Sequence, residues 1–431
     1  MSRSARSAAV AVATPPAVAA SETRVLVMSH MDPRVSKGGA EIAAFQLHEE
    51  LCRRPGHRSF FLSCAPGKIE RRDGVVFGQP FGADNFVYTM RGFDHFLHSN
   101  PDGETVAELT ALLHEIRPDV VHLHHYTNFG LEMLLTVRRA LPEARIVVTL
   151  HEYLAICNHF GQMVKRGSFA LCQKSGPREC HGCFPEISPQ DFFLRELFIK
   201  RFFRLVDQFV APSAFLAERY IAWGIPRDRI SVVENGIPDP GRRGQLPYPT
   251  LDRGITFGFF GQISRLKGFN VLLDAAAQLD SDDDADIRIE VHGDYSSQPD
   301  DFQREVRERL LTAPRNLRYM GPYDNGRVDT LMQSVHAVVV PSIWWENSPL
   351  VIQEALANRR PVLCSDIGGM AEKVRDGMDG FHFQSGSGAS LAALLRRLAA
   401  DRGLLAGMQA TLRDAPKISD TVDRVAALYI G

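Results

Sequence analysis

Two glutamates at an E-x7-E spacing, Glu346 and Glu354, are the side chains around which chemistry could be built. Glu346 sits in the polar loop Glu346-Asn347-Ser348. Glu354 lies roughly 9 Å further along the axis of the helix that follows, at about 1.5 Å per residue. The free amides and positive dipole end of that helix suit an anion. Taken alone, Glu354 would read as a solvated helix glutamate; the loop and helix start give the pair its meaning. His151 ends an apolar run, Arg145 to Leu150, and the carboxyl end of such a strand is where open α/β sheets bind ligands. His122 and His124 alternate along Asp119 to His125 so as to point the same way, with His125 at the strand end.

A third group is Cys157, Cys172, Cys180 and Cys183, spaced C-x14-C-x7-C-x2-C. Four thiolates could close a tetrahedral structural zinc site, with His159 or His181 as substitute ligands. An iron–sulfur cluster, free thiols and a disulfide are the alternatives. The segment between them is polar, with no evident strand or helix, and a metal would explain its order.

These residues need elements to hold them. Ala337-Val338-Val339-Val340 is a short β-branched run that reads as a strand buried on both faces. Pro341-Ser342 ends it, Ser348 is a candidate N-cap, and Pro349 fits the first helical position. Val362 to Ser365 is the next strand, with Gly368-Gly369 after it. Similar strand–loop–helix units recur. Arg24 to Ser29 leads through Gly38-Gly39 into an apolar helix, where paired glycines permit close ligand approach. Gln208 to Ser213 follows in the first half of the chain. Ile255 to Gly261, then Gln262 to Gly268, leads into the helix Phe269 to Leu279, and Ile287 to Asp294 forms another strand and turn. Pro238 to Pro249, dense in proline and glycine, marks a domain boundary.

The 431 residues are too many for one ordinary domain, and two are expected. Hydrophobic residues at 45% and charged residues at 23% are globular values. A net charge of −2 gives no general electrostatic term for nucleic-acid binding, and no apolar run is long enough to span a membrane. Residues 1–22, rich in Ala, Ser and Pro, read as a disordered tail, because Thr14-Pro15-Pro16 interrupts any signal-peptide core. Seven cysteines, four of them crowded together, fit a reducing compartment. Asp191 to Val206 is an aromatic helix with Arg195, Lys200, Arg201 and Arg204. It reads as packing against the first sheet, or as a peripheral contact with an anionic membrane. Asp282-Asp283-Asp284 reads as a solvated loop.

The combination from 336 to 382 resembles the E-x7-E signature of retaining family-4 glycosyltransferases, and the resemblance runs in pieces from about 24 to 385. It implies an α/β chain of the GT-B class, two Rossmann-like domains facing across a cleft. The N-terminal, acceptor-side domain would span 23–240 with a Cys-rich insertion at 157–183, which the basic family pattern lacks. The donor domain would span 250–415, and a helix in 416–431 would cross back. The implied reaction moves a sugar from a nucleotide-sugar donor to a sugar, glycan or lipid-linked acceptor with retention, the leaving phosphate helping to take the acceptor proton. No metal is implied at the donor phosphates. Glu354 would bind the ribose hydroxyls. Glu346, with the amides of Asn347, Ser348 and Leu350, would hold sugar and phosphate, and His151 would approach the reacting sugar.

Lys267 keeps the family's place for a cation on the diphosphate, but Gln262 stands where an arginine is usual, and Arg265 is the candidate replacement. Gly39 would face the donor, and His292, Gly293 and Gly321 would lie near the nucleotide. Gly38, His124, His125 and Asn128 would line the acceptor side. Assembly of polysaccharide or glycolipid at the cytoplasmic membrane face is the implied setting. A catalytically silent GT-B binding or scaffolding protein, to which Gln262 points, and a nucleotide-sugar epimerase are the other readings.

Overall fold

The computed structural model describes residues 22–36, 38–65, 75–89, 92–100, 102–238, 248–250, 254–279 and 286–430. Residues 1–21 of the expected tail, most of the proline-rich linker and the Asp282 to Asp284 loop lie outside the described residues.

Two sheets organise the chain. The first contains β1 (Thr23–Ser29), β2 (His57–Cys64), β3 (Phe77–Gly78), β4 (Asn85–Tyr88), β5 (Val120–Leu123), β6 (Arg145–Thr149), β7 (Gln208–Ala211) and β8 (Ile230–Val232). Their order is β3-β4-β2-β1-β5-β6-β7-β8, parallel throughout except at β3–β4. The second contains β9 (Ile255–Phe260), β10 (Ile287–His292), β11 (Leu317–Gly321), β12 (Ala337–Val340), β13 (Val362–Ser365) and β14 (Gly380–Phe383), all parallel, in the order β11-β10-β9-β12-β13-β14. Both are doubly wound. Strand order reverses between β1 and β5 in one sheet and between β9 and β12 in the other, and ligands bind at such switch points.

The central strands are apolar on both faces because helices cover both. In β1, Leu26 and Met28 join one core while Val25 and Val27 join another. That second core is closed by the helix Gly39–Arg53 and by the final helix Ile418–Ala427, which contributes Val422 and Val425. The final helix therefore lies on the first sheet, where the Tyr429 hydroxyl meets His122 Nδ1 at 2.8 Å and Arg54 pairs with Asp423. The chain passes between the halves twice, side by side, with Ile237 N–H donating to Pro416 O and Ile418 N–H to Ile237 O.

Three local expectations change. The helix after β12 runs Leu350–Ala357, and Pro349 precedes it with an extended backbone (φ −62°, ψ 121°). Ser348 does not cap it; its Oγ meets Gln353 Nε2 at 3.5 Å instead. A residue before proline avoids the helical region, so Ser348 stays outside the turn. The aromatic helix runs Pro189–Phe203, capped by Ser188 Oγ, which accepts from Asp191 N–H at 3.1 Å. Finally, β2 to β4 and the helix Gly103–Ile116 fill a region that patterning left unassigned.

Candidate active site

The carboxyl ends of the two sheets face one another across a cavity of about 810 Å³. From the side of the second sheet it is lined by Gln262, Lys267, Gly293, Tyr323, Ser342, Trp344, Glu346 to Val351 and Glu354. From the other side come His30, Gly38, Gly39, Glu41, His125, His151 and Glu152, with Phe160 and Gln162 of the insertion.

Glu346 is buried, and its Oε1 accepts three hydrogen bonds: from Lys267 Nζ (2.6 Å), Ser342 Oγ (2.8 Å) and Trp344 Nε1 (2.9 Å). A carboxylate gripped this way has a fixed orientation. The loop is held against the next element by Gly369, whose N–H donates to Glu346 O at 2.7 Å. A Cβ at Gly369 would stand 1.6 Å from Asn347 O, so only glycine permits this approach. Beyond the loop, Leu350 and Val351 begin the helix and line the cavity, and the first amides of a helix have no partner within it. Further along, burial pushes the Glu354 carboxyl up to about 7, with Asp329 adding to the effect.

The first-domain wall is rich in imidazole. His124 Nδ1 and His151 Nε2 are 3.0 Å apart, and His125 Nε2 lies 2.9 Å from Glu152 Oε1. The His30 ring lies tilted at 40° to that of His125 with centroids 4.2 Å apart, and His30 Nε2 reaches Glu41 Oε1 at 3.4 Å. Burial pushes His151 down to about 4 and His30 and His124 well below their ordinary value. Gly38 precedes the helix bearing Glu41, and a Cβ there would meet the Glu41 carboxylate at 2.4 Å.

Several expected residues stand elsewhere. Arg265 does not line the cavity: its guanidinium pairs with Glu305 and lies over the rings of Phe169 and Phe302. Gln262 does line it, and its amide donates to Ser297 Oγ at 2.9 Å. Lys267 is thus the one Lys or Arg among the described residues of the wall. His292 is buried behind the wall, stacked on Phe260 at 4.7 Å, and Gly321 accepts from Gly293 N–H at 2.9 Å. His124 Nδ1 meets His151 Nε2, and Asn128 donates to His30 O at 2.8 Å, so both touch a lining residue without lining the cavity themselves. His30, Glu41 and Glu152 were not singled out from sequence. Each sits at or just past a strand end or helix start, the only signal available.

The four insertion cysteines are free thiols, and among the described residues no three His, Cys, Asp or Glu side chains are placed to hold a metal. The expected four-thiolate site is therefore not built here. Burial raises the Cys157 thiol to about 11 and also raises that of Cys180. Order comes instead from hydrogen bonds. Buried Arg195 donates to Leu154 O (2.8 Å) and Ala155 O (2.9 Å), and Cys183 Sγ accepts from Arg166 N–H at 3.1 Å.

The insertion also receives the loop that carries Glu346. Trp345, next to Glu346, belongs to the first domain's core; its Nε1–H donates to Cys172 O at 3.1 Å, and its ring lies 5.0 Å from Phe215. Asn347 Oδ1 accepts from Ser213 Oγ at 2.5 Å, and its Nδ2 donates to His151 O at 3.2 Å. Glu372 accepts from Ala214 N–H (2.9 Å) and Phe215 N–H (2.8 Å), capping a helix of the opposite domain.

Residues 37–239 match the family model described as Glycosyltransferase Family 4, and residues 249–414 match Glycosyl transferases group 1. The chain belongs to the family-4 glycosyltransferases. A D-inositol 3-phosphate glycosyltransferase of Nocardia farcinica is 29% identical over 301 residues, 67% of this chain and 60% of that protein. A phosphatidyl-myo-inositol mannosyltransferase of Mycobacterium leprae is 31% identical over 173 residues, 38% of this chain and 44% of that protein. These alignments leave more than a third of each relative unmatched. Among solved structures, Anabaena HepE in complex with UDP is 18% identical with a TM-score of 0.66, over 94% of this chain and 99% of that one. Sucrose-phosphate synthase from Thermosynechococcus elongatus is 16% identical with a TM-score of 0.68, over 95% and 98%. That likeness is one of fold, and the family-4 chain has the GT-B fold.

Proposed function

We propose that this family-4 chain is a retaining glycosyltransferase that moves a sugar from a nucleotide-sugar donor to the hydroxyl of a sugar, glycan or lipid-linked acceptor. The observation that carries this reading is the convergence of Lys267, Glu346, Glu354 and the helix start at Leu350–Val351 on one wall of the cavity, with His151 opposite. In this reading Glu354 accepts from the ribose hydroxyls. Lys267 and the helix amides meet the charge that builds on the departing diphosphate, with no metal needed there. The leaving phosphate takes the acceptor proton. The relatives' names, which speak of inositol phosphate and phosphatidylinositol, and the neighbours solved with UDP and UDP-glucose support the class of donor and acceptor.

A panel of UDP-, GDP- and ADP-sugars offered singly should contain at least one that raises the melting temperature, since a ligand that binds only the folded chain stabilises it by mass action. Transfer from that donor to a hydroxyl with an unchanged anomeric configuration completes the test. Stabilisation by none of the panel would overturn the reading.

A peripheral membrane contact is a second proposal, supported by the outer face of the helix Pro189–Phe203. There Phe193, Leu194 and Leu197 are 54%, 58% and 50% exposed, and Arg201 and Arg204 continue the exposed face. No helix among the described residues is long and apolar enough to cross a membrane. Such a face suits the interface of an anionic bilayer, at the cytoplasmic surface in this reading. Co-sedimentation with phosphatidylglycerol vesicles should fall when Leu194 and Leu197 are both changed to Ser. Equal recovery of the two proteins with the vesicles would remove this contact.

A further inference from the structure

We infer that His124 is a positioning residue: it donates a hydrogen bond from Nδ1 to His151 Nε2 and so fixes His151 as the Nδ1–H tautomer, which faces the cavity as a hydrogen-bond donor and not as a base. The argument counts protons. The two nitrogens are 3.0 Å apart, so one must donate and the other accept. Burial keeps both rings neutral, so each carries a single N–H. His124 is 4% exposed, and its other nitrogen, Nε2, is buried with no hydrogen-bond partner. A proton on Nε2 would be a buried orphan donor, the rarer and more costly arrangement. With the proton on Nδ1, only a lone pair is left unmatched. His124 then donates, His151 Nε2 accepts, and the His151 proton lies on Nδ1, the nitrogen left for the cavity that the ring lines.

The neighbouring pair is fixed in the opposite sense. Thr127 N–H donates to His125 Nδ1 at 3.0 Å, so the His125 proton is on Nε2 and points at Glu152 Oε1, 2.9 Å away. The wall therefore presents one imidazole donor at His151 and one carboxylate acceptor at Glu152. A hydroxyl-bearing ligand could accept from the first and donate to the second. This goes beyond the proposed function, because the tautomer holds whether or not sugar transfer occurs.

The test is two-bond ¹H–¹⁵N correlation spectroscopy of the protein labelled at its 15 histidines, with His151 assigned by its loss in His151→Asn. In the wild type at pH 7, His151 should give the Nδ1–H pattern, and a His151 in the Nε2–H form would overturn the inference by itself. In His124→Phe the His151 signals should move toward a mixture of tautomers. In His124→Asn, whose amide can donate from nearly the same place, they should stay. Turnover should fall at least about tenfold in His124→Phe, with nucleotide affinity unchanged, and recover most of that loss in His124→Asn. Equal turnover in the two variants, with an unmoved His151 signal, would also overturn it.

Discussion

Glu354→Gln should make the free protein more stable at pH 8 while weakening nucleotide binding about 10- to 100-fold, the value of a hydrogen bond or two to a charged acceptor. The carboxyl is ionised above about 4.5 in the unfolded chain and only above about 7 in the folded one. The folded state therefore keeps a proton that the unfolded state has lost. Stability falls as pH rises through that window, and the loss is complete above about 7. One pKa unit corresponds to about 1.4 kcal/mol, and allowing for the side chain's opening on the cavity, the native cost at pH 8 is on the order of 2 kcal/mol. Glutamine removes that cost. Urea unfolding should show the variant ahead of wild type at pH 8 and level with it near pH 4.5; identical curves at both would refute the burial argument. For the wild type, nucleotide affinity measured by calorimetry should decline as pH drops below about 7, because only the ionised form accepts from two hydroxyls. The acid whose burial costs stability at high pH is thus the one assigned to the ribose.

Lys267→Ala should lower turnover by at least a factor of about 10, or ~1.4 kcal/mol of barrier. Two effects add. With Gln262 uncharged and Arg265 committed to Glu305, no second Lys or Arg among the described wall residues stands in for the lost cation. Removing the ammonium also leaves Glu346 with two of its three donors, Ser342 Oγ and Trp344 Nε1, and frees it to turn. Charge at the leaving group matters most as the bond breaks, so kcat should suffer more than nucleotide affinity. Lys267→Arg should not restore full activity, since a planar fork cannot repeat the single contact at 2.6 Å in that space. Wild-type kcat in Lys267→Ala would mean that the diphosphate is held elsewhere.

How far the sequence could be read depends on the kind of question. The run Ala337 to Val340 was legible as a strand because both its faces are covered, which leaves an unbroken apolar signature. The family resemblance implied that Glu346, Lys267 and His151 meet, and their places agree with it, since each follows such a run and parallel strands deliver their carboxyl ends to one edge. Which way a side chain turns was not legible. Arg265 is two residues from Lys267, yet Glu305, forty residues on, claims it. The cysteine spacing was silent on side-chain direction for a related reason. Cys180 lies in the short helix Pro177–His181, while Cys183 turns its sulfur to the Arg166 amide, and chain separation carries no information on that divergence. His30 and Glu152 follow two different strands and Glu41 stands in the first turn of a helix, and no local pattern encodes their meeting.

Trp345 gives the two halves of this chain an unequal independence. The indole is rooted among residues of the first domain, while Glu346, the next residue, serves the donor wall. The donor loop thus takes its shape from a socket made by Phe215, Arg219 and the Cys172 carbonyl, all outside its own domain. A chimera joining this donor half to the first half of a relative would carry the plug without its socket. Its loop would lose its anchor even if every residue of the donor wall were kept. Specificity swaps in this protein should therefore move the insertion at 157–183 and the helix Ala214–Trp223, which carries Phe215 and Arg219, together with the donor domain, because the modular unit is the loop plus its socket and not the sheet.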